Sequence, residues 1–246
     1  MIDVHSHIVF GVDDGSKNIE QSIQIVKQGY KAGFKKIIAT PHYMEDAYEV
    51  NKEEIANIIR VLEAKLKEEN CPVQILQGNE IYITNNINKL IDENKAVTLC
   101  GSKYVLFELP LNAEVMNLNQ IVYQILEKGR VPILAHPERY PFVKKDPKAL
   151  FDLAENGVLF QCNFGSAIGQ YGHDAKKTLK KLLKYNLVSF FGSDVHRPNT
   201  IYSNMDEALK KLKKLIGEEK LYELTTLNPE KIINNLDIDD DIDYDD

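Results

Sequence analysis

The chain begins with MIDVHSHIVFGVDDG, residues 1–15, and this stretch sets a pattern that the rest of the sequence repeats. IDVH has the character of a short strand, polar residues follow it, and a helix-like segment starts near residue 18. His5 and His7 stand two positions apart, so both side chains point to the same face of an extended strand. Two aspartates, Asp13 and Asp14, come before the helix. Ionisable side chains at the end of an apolar strand indicate a functional site there.

Strand-like and helix-like segments alternate along the remaining chain. The strand-like segments are apolar runs, as expected when both faces of a sheet are covered. Helical crossovers between consecutive strands make those strands parallel. We therefore predict an α/β fold, a barrel of seven parallel strands. The predicted strands are IDVH (2–5), KKIIAT (35–40), VQILQGNEI (73–81), YVLFEL (104–109), RVPILAH (130–136), GVLFQCN (157–163) and VSFFGSD (188–194), and the predicted helices cover about residues 18–33, 51–70, 116–129, 147–156, 174–186, 204–216 and 218–234.

Length and composition favour one folded domain. The chain has 246 residues, 43% of them hydrophobic, which suits a single barrel with a buried core. Because no linker rich in proline or glycine divides it, we predict one barrel domain over residues 1–236.

The last ten residues, DIDDDIDYDD (237–246), hold seven aspartates and no basic residue. Such a segment has too little apolar surface to pack, so we predict a disordered acidic tail.

The sequence also limits where the protein works and what it binds. No apolar run is long enough for a membrane span, and no signal peptide pattern is present. The three cysteines, Cys71, Cys100 and Cys162, are isolated and odd in number, which fits free thiols in a reducing cytoplasm. A net charge of −7 argues against a nucleic acid partner. The lysine-rich runs 176–184 and 210–220 have the spacing of solvated faces of amphipathic helices. The oligomeric state stays open.

Polar residues mark the carboxyl end of nearly every predicted strand. In a parallel barrel these ends share one rim, where active sites are built. Five of the six histidines lie there, and His173 is the exception. So many ionisable groups would repel and desolvate one another unless divalent ions were bound among them. The nine candidate ligands are His5, His7, Asp14, His42, Glu80, Glu108, His136, Asp194 and His196.

The number and type of these ligands indicate a metal cluster. Nine ligands with one bridging carboxylate suit two or three ions. Imidazole and carboxylate donors without thiolate favour manganese, iron or zinc. Ions about 3.5–4 Å apart are typical of enzymes that hydrolyse phosphate esters.

Eight motifs resemble those of a known family, in order and at comparable spacing over about residues 1–235. They are MIDVHSHI, DDG, ATPHY, GNEIY, FELP, AHPERY, GSDVH and NPEKIINN. The chain resembles the polymerase and histidinol phosphatase (PHP) superfamily of metallohydrolases. Within it, the chain is similar to the bacterial metal-dependent protein-tyrosine phosphatases associated with capsule and exopolysaccharide assembly.

The resemblance implies a distorted (β/α)7 barrel of the PHP type with a trinuclear, usually manganese-linked site. It places one ion on His5, His7, Glu80 and Asp194, a second on Glu80, Glu108 and His136, and a third on Asp14, His42 and His196. We expect two or three divalent ions, with manganese favoured and iron or zinc as alternatives. Asp13 is expected to support the loop, and Gly15 to permit its tight turn.

The resemblance also implies arginines that hold phosphate at the rim. Arg139, three residues beyond His136, matches one of them. A second arginine is expected a few residues past the DxH motif, but position 201 is isoleucine, and the available arginine is Arg197. Arg197 is either this second clamp or a solvated surface residue. The predicted catalytic residues are therefore Arg139, Arg197, Asp194 and His196.

The function that the resemblance implies is hydrolysis of protein phosphotyrosine by a metal-activated hydroxide, without a covalent intermediate. The expected partner is a phosphotyrosine protein, a bacterial tyrosine autokinase that regulates capsule or exopolysaccharide synthesis. The thiol phosphatase loop is absent, since NFGSAIG follows Cys162 without an arginine. Tyr43, beside His42, is either a stacking partner for an aromatic substrate or a packing residue.

Two alternatives remain open from the sequence. One is a small-molecule phosphatase of the same superfamily, such as histidinol-phosphatase, which would need a closed, deep pocket rather than an open rim. The other is a scaffold that keeps the barrel without chemistry. Degenerate relatives of that kind lose ligands, whereas all nine positions here hold competent ones.

Overall fold

The computed structural model describes residues 1–113 and 115–238, which form a ring of short parallel strands surrounded by helices. The α/β barrel prediction is confirmed. The strands are β1 (Ile2–Asp3), β2 (Lys36–Ala39), β3 (His42–Tyr43), β4 (Gln74–Gln77), β5 (Glu80–Tyr82), β6 (Tyr104–Glu108), β7 (Val131–Ala135), β8 (Leu159–Asn163) and β9 (Phe190–Gly192). The helices are α1 (Ile19–Lys31), α2 (Lys52–Glu68), α3 (Ile87–Asp92), α4 (Leu118–Glu127), α5 (Pro141–Lys145), α6 (Phe151–Glu155), α7 (Phe164–Ile168), α8 (Gly172–Lys184), α9 (Met205–Tyr222) and α10 (Asn228–Ile233).

Strand order around the ring follows the chain. One sheet has the order β1-β2-β4 and the other β3-β5-β6-β7-β8-β9, and all pairs are parallel. β3 continues the course of β2, and β5 continues that of β4, so nine short segments occupy the seven predicted strand positions. The seven-strand count is therefore right, although two strands are interrupted.

Each interruption has a local cause. Between β2 and β3, Pro41 has no amide hydrogen to donate to the ladder. Between β4 and β5, the side chain of Asn79 takes over the pairing, donating to the Pro41 carbonyl (2.9 Å) and accepting from the Val97 amide (2.9 Å). The two breaks bend both strands so that His42 and Glu80 stand side by side, paired in register at the rim.

The ring closes where the residues after β1 meet those after β9, and we call this contact the seam (residues 5–7 with 193–195). Ser6 and Val195 form an isolated parallel bridge. The His7 amide donates to the Val195 carbonyl (3.0 Å), and the Asp194 amide donates to the His5 carbonyl (2.8 Å). The seam thus brings the HSH and SDVH motifs together.

The core has two layers. Val4, Ile38, Leu106 and Phe190 belong to a small cluster that fills the inside of the ring. Ile232 of α10 joins this cluster and covers the amino-terminal end of the barrel. The larger cluster lies between the strands and the outer helices. With the lower end filled by apolar side chains, the polar rim at the other end is free to form a site.

The helices largely follow the prediction, with three additions. α3, α5 and α7 are each five or six residues long, too short to show an amphipathic period in the sequence. The predicted helix over 147–156 is a tight turn at Pro147–Leu150 followed by α6. The predicted break near residue 217 is present, since Gly217 has a φ of +80°.

The predicted tail is only partly within the described residues. Asp237 forms an ion pair with Lys103, the Tyr104 hydroxyl donates to the Leu236 carbonyl, and Ile238 packs on the inner cluster. The prediction for residues 239–246 lies outside the described part of the chain. Among the helices that the structure describes, none combines the length and apolarity needed to cross a membrane.

Candidate metal centre

All nine predicted ligands converge at the rim, and the inner group consists of His5, His7, Glu80 and Asp194. The Nε2 atoms of His5 and His7 are 3.1 Å apart. Glu80 Oε2 lies 3.2 Å from the first and 3.3 Å from the second, and Asp194 Oδ1 lies 3.7 and 3.6 Å from them. His5, His7 and Glu80 are fully buried, and Asp194 is nearly so. Two imidazole nitrogens and two carboxylates therefore face one small space shielded from water.

Neighbouring groups fix the tautomers of both inner histidines. Gln161 uses its amide nitrogen on the Cys162 carbonyl and Asn163 Oδ1, so its Oε1 faces His5 and accepts from Nδ1 at 2.6 Å. Asp13 Oδ2 accepts from His7 Nδ1 at 2.8 Å. Each ring thus carries its hydrogen on Nδ1 and presents Nε2 as a ligand, the arrangement seen when an outer partner orients a metal-binding histidine.

The pKa values describe a site that favours positive charge. Burial disfavours the imidazolium of His5, but the Glu80 and Asp194 carboxylates outweigh it and raise the pKa of His5 to about 9. Burial likewise opposes the charge on His42, whose pKa Glu80 and Glu108 raise to about 12. Burial would raise the pKa of Glu80, yet His5 and His42 hold it well below its usual value. A divalent cation satisfies the same demand for positive charge.

The second group consists of Glu80, Glu108, His42 and His136. His136 Nε2 lies 2.9 Å from Glu80 Oε1 and 3.9 Å from Glu108 Oε2. His42 Nδ1 lies 3.1 Å from Glu80 Oε2 and 3.1 Å from Glu108 Oε1. His42 therefore presents one nitrogen to this group, although the resemblance placed it in the third one only.

Two atoms of the second group test whether a cation fits. Glu80 Oε2 and His42 Nδ1 are buried, and neither has an aligned hydrogen-bond partner among the described residues. Buried polar atoms are normally paired. A cation accepting both lone pairs would remove this deficit, so the donor set fits a bound metal.

The outer group consists of Asp14, His42 and His196, with His7 at its inner edge. Asp14 Oδ1 lies 3.2 Å from His196 Nε2 and 3.5 Å from His42 Nε2. His196 Nδ1 donates to the Asp194 carbonyl (3.0 Å), which leaves Nε2 as the ligand atom. The Asp14 side chain is 55% exposed, so the rim is open to solvent at this group.

Asp13 and Gly15 bring Asp14 to the outer group. Asp13 binds His7, accepts from the His42 amide (2.9 Å) and accepts from the Gly15 amide (2.8 Å). A Cβ on Gly15 would lie 2.4 Å from the His7 carbonyl oxygen. Gly15 is thus needed in this turn because the backbones of Gly15 and His7 approach closely, and its φ is not in the left-handed region.

Arg139 lies beside the inner group and is held by Asp194. Its Nη1 donates to Asp194 Oδ2 at 2.8 Å, and its guanidinium lies 4.7 Å from the ring centre of Tyr171. Asn163 and the Tyr171 hydroxyl donate to the same Oδ2 at 2.7 and 3.2 Å. Oδ2 is therefore occupied by hydrogen bonds, and Oδ1 is left to face the inner histidines.

Arg197 has a different environment. Its Nη1 donates to the carbonyls of Asp14, Gly15 and His196, at 2.6, 2.5 and 2.8 Å. These bonds join the loop after β1 to the loop after β9. A cleft opens to solvent above the three groups, and the described residues that line it include Arg139 but not Arg197. Its role as a phosphate clamp stays a prediction.

Two of the site residues have left-handed backbones. His136 has a φ of +37° and Asp194 a φ of +53°, a region that residues other than glycine rarely adopt. His136 directly follows β7, and Asp194 lies two positions beyond the end of β9. In both cases the turn directs the side chain into the rim. Such conformations are held by surrounding contacts and cluster at functional sites.

A cleft of about 250 Å³ opens above the three groups. Its floor is formed by His42, Glu108, His136 and Asp194 among others, and its apolar wall by Met44, Tyr48 and Leu111. The ring of Tyr48 stacks on that of His42, with centres 5.9 Å apart and planes inclined by 20°.

Two tyrosines near His42 lie in different environments, and this decides between the two alternatives for Tyr43. Tyr43 is 3% exposed and belongs to the core, so it is a packing residue and does not reach a substrate. Tyr48, which the sequence did not single out, faces the cleft instead. A tight turn between Met44 and Tyr48, with reciprocal backbone bonds of 2.8 Å, holds it there.

Sequence reasoning also missed several supporting residues. Gln161 and Asn163 end β8 and orient His5 and Asp194, but they are amides and were overlooked in a search for ionisable strand ends. Their i, i+2 spacing repeats that of His5 and His7 and could have revealed them. Glu138 is fully buried, and its Oε1 accepts from the Asn163 amide (2.8 Å) and the Ser166 hydroxyl (2.7 Å), which anchors the loop carrying Arg139.

The comparisons with known proteins agree with this geometry. The family described as "Capsular polysaccharide synthesis, CpsB/CapC" matches residues 1–234. The tyrosine-protein phosphatase YwqE of Bacillus subtilis is 32% identical over 235 residues, which are 96% of this chain and 92% of that protein.

Solved structures give the same result. One is described as YwqE from Bacillus subtilis and CpsB from Streptococcus pneumoniae, unique metal-dependent tyrosine phosphatases. It matches with a TM-score of 0.92 and 32% identity, covering 98% of this chain and 97% of that one. The histidinol phosphate phosphatase of Lactococcus lactis matches with a TM-score of 0.58 at 16% identity, covering 87% and 94%. That similarity shows a common fold and nothing more.

Proposed function

Because the chain belongs to the CpsB/CapC family of capsular polysaccharide synthesis, we propose that it is a metal-dependent tyrosine phosphatase that hydrolyses phosphotyrosine in proteins. The observation that carries this proposal is the juxtaposition at the rim. Buried imidazole and carboxylate ligands, a guanidinium and an apolar wall with an aromatic ring surround one open cleft.

The proposed metal ligands are the nine predicted residues. His5, His7, Glu80 and Asp194 would hold one ion, with Glu80 shared with a second on Glu108 and His136, and Asp14, His42 and His196 would hold a third. Two or three ions are proposed, manganese first, with iron or zinc as alternatives. When bound, such ions act as Lewis acids, lower the pKa of water and neutralise phosphoryl charge.

The chain's own residues orient and bind the substrate. Arg139 presents its remaining N–H groups to the cleft, where a planar fork matches two phosphoryl oxygens. Asp194 and Tyr171 hold that guanidinium in place. Gln161, Asp13 and the Asp194 carbonyl keep the hydrogens of His5, His7 and His196 on Nδ1. The leaving phenolate of tyrosine has a pKa of about 10, so it needs less protonation than an alkoxide.

The apolar wall supports an aromatic substrate. Met44, Tyr48 and Leu111 offer a surface on which a phenyl ring packs while its phosphate reaches the ligands below. A phosphoserine side chain is too short to use that wall and reach the ligands at once. Tyr48, stacked on His42, is well placed to contact the ring of the substrate.

The open rim supports a protein substrate over a small metabolite. The outer ligand Asp14 is 55% exposed, and His196 and Arg139 are 26% and 23% exposed. A metabolite enzyme would enclose its ligand more completely. We propose that the partner is a bacterial tyrosine autokinase of capsule or exopolysaccharide synthesis; the second candidate substrate, histidinol phosphate, lacks such support.

The test combines metal analysis with a substrate panel. The purified enzyme, with manganese restored, is assayed on a phosphotyrosine peptide, the matching phosphoserine peptide and histidinol phosphate. We expect two or three ions per chain and turnover of the phosphotyrosine peptide at least tenfold above the others. Preference for histidinol phosphate would favour the second candidate. No turnover of any substrate with manganese present would indicate a scaffold.

A further inference from the structure

An apolar groove adjoins the active cleft, and we call it the rim groove. It lies between the loop after β6 and the start of α5 and has a volume of about 510 Å³. Its walls are Pro110, Leu111, Ala113, Pro141 and Phe142, with Lys145 at one end. A space of this size is within the range of ligand pockets.

The groove is continuous with the cleft. Leu111 lines both spaces and is 36% exposed, so its side chain forms the boundary between them. Anything that enters the cleft from the rim passes over Leu111. The metal centre does not use the groove, since its described walls contain no proposed ligand.

The two walls of the groove are tied together and to the site. The Tyr140 hydroxyl accepts from the Leu109 amide at 2.9 Å, which joins α5 to the end of β6. The ring of Tyr140 stacks on Phe142, with centres 6.0 Å apart, and lies 5.6 Å from the ring of His136. Tyr140 is fully buried. The α5 side of the groove is thus connected to the metal centre through Tyr140.

A second recess of about 450 Å³ shares Phe142 with the groove. Its lining is mixed, since Val115, Met116 and Leu153 stand beside Asn117, Asn119, Gln120 and Asp152. Among the described residues, the apolar lining next to the active cleft is therefore that of the rim groove.

Resting on the proposed function, we infer that the rim groove binds an apolar side chain two residues from the phosphotyrosine in the substrate polypeptide, since alternate side chains of an extended peptide share one face. The phosphotyrosine side chain must descend into the cleft, so its backbone and neighbouring residues lie on the rim. An extended peptide advances about 3.3 Å per residue, which carries a near neighbour from the cleft across Leu111 into the groove. Lys145 at the end of the groove suits an acidic residue further along the same peptide.

The experiment measures sequence selectivity. Two phosphotyrosine peptides differ only at the positions two residues from the phosphotyrosine, with leucine in one and serine in the other. The wild-type enzyme should favour the leucine peptide by about tenfold in kcat/KM, the usual value of one well-filled apolar subsite. Ala113→Glu places a carboxylate in the groove and should reduce this ratio towards one. Val61→Glu, at a 52% exposed position on α2, is the matched control and should keep the ratio.

The outcomes separate this inference from the function on which it rests. Equal kcat/KM for both peptides, or an unchanged ratio in Ala113→Glu, overturns the groove assignment while phosphotyrosine turnover stands. Failure to hydrolyse free phosphotyrosine and both peptides refutes the proposed function itself. If Ala113→Glu changes the sedimentation coefficient of the protein, the groove is occupied by a second copy of the chain and the inference is wrong. If removal of residues 239–246 raises the turnover of the peptides, the groove is occupied by the acidic tail and the inference is wrong.

Discussion

At the scale of single residues, the Asp194 carboxylate has two sides with different tasks. Oδ2 accepts from Arg139, Asn163 and Tyr171, and Oδ1 faces the inner histidines. One carboxylate thereby links the guanidinium that we propose to bind phosphate to a proposed ion. The sequence predicted Asp194 and Arg139 separately, but not their bond, because the bond depends on the turn at Asp194.

Arg139→Ala should keep the metal ions and lower turnover. We expect about a 10²–10³-fold decrease in kcat, comparable to the loss of one charge-stabilising donor. Arg139→Lys should recover only part of it, because a point charge cannot replace the planar fork. The measurements are metal content by elemental analysis and steady-state kinetics on a phosphotyrosine peptide. Loss of metal in Arg139→Ala would mean that its main task is to hold Asp194.

His136→Ala should lower activity by orders of magnitude more than His173→Ala. His136 lies 2.9 Å from Glu80 and is a proposed ligand, whereas His173 is exposed in the first turn of α8. The surface change should alter the free energy of unfolding by about 0.5 kcal/mol at most. Kinetics and thermal melts of both variants check this, and equal kcat values would exclude His136 as a ligand.

The residues that the sequence could reveal were those with distinctive chemistry. Histidines and carboxylates at strand ends are conspicuous, and all nine converge. Tyr48 could not be found in this way, because tyrosines serve in cores as often as in sites. Only the turn between Met44 and Tyr48 decides that its ring faces the cleft.

At the scale of elements, the connection between β1 and α1 (residues 4–18) decides the shape of the outer group. Hydrogen bonds hold this loop at two places. The Asp13 carboxylate accepts from His7 and from the Gly15 amide, and Arg197 donates to backbone carbonyls of the loop. Patterns of apolar residues do not record such contacts. The same limit explains why the interruptions at Pro41 and Asn79 were missed: they depend on one proline and one amide, not on periodicity.

Gly15→Ala should weaken the outer group. The new Cβ would stand 2.4 Å from the His7 carbonyl and 2.7 Å from Asp13 Oδ1, so the loop must move. Forced overpacking of this kind costs about 1–3 kcal/mol. We expect fewer ions per chain and lower turnover, with Lys17→Ala, an exposed position in the same loop, as the unaffected control. Full metal content in Gly15→Ala would show that the loop adapts without cost.

At the scale of the whole molecule, the proposed ions bind residues from almost every strand. Ligands that bind only the folded state stabilise it. At a hundredfold excess over its dissociation constant, one ion adds about 2.7 kcal/mol, which is roughly 5–10 °C in Tm for a domain of this size. Chelation should therefore lower the melting temperature, as calorimetry would show. An unchanged Tm after verified removal of metal would contradict binding at this centre.

Removal of residues 239–246 should leave the barrel and its activity intact. The segment carries six aspartates, and Ile238, which packs on the inner cluster, is kept in this variant. We expect Tm and kcat within experimental error of the full chain. Removal from Leu236 onward is the contrasting variant, since it also deletes the contacts to Lys103 and Tyr104. It should melt earlier, and equal melting temperatures of the two truncated chains would show that residues 236–238 do not stabilise the barrel.

The seam has a consequence for the order of events during synthesis. His5 and Ser193, which meet there, are 188 positions apart. At 5–20 residues per second, the first histidines wait roughly 9–40 s for the last strand to emerge. Until then the nascent sheet has two open edges, and the inner ligands have no Asp194 to complete them. The proposed ion on His5, His7, Glu80 and Asp194 therefore gains its full ligand set only when the last strand has emerged, whereas Glu80, Glu108 and His136, the proposed ligands of the second ion, are complete some 58 residues earlier.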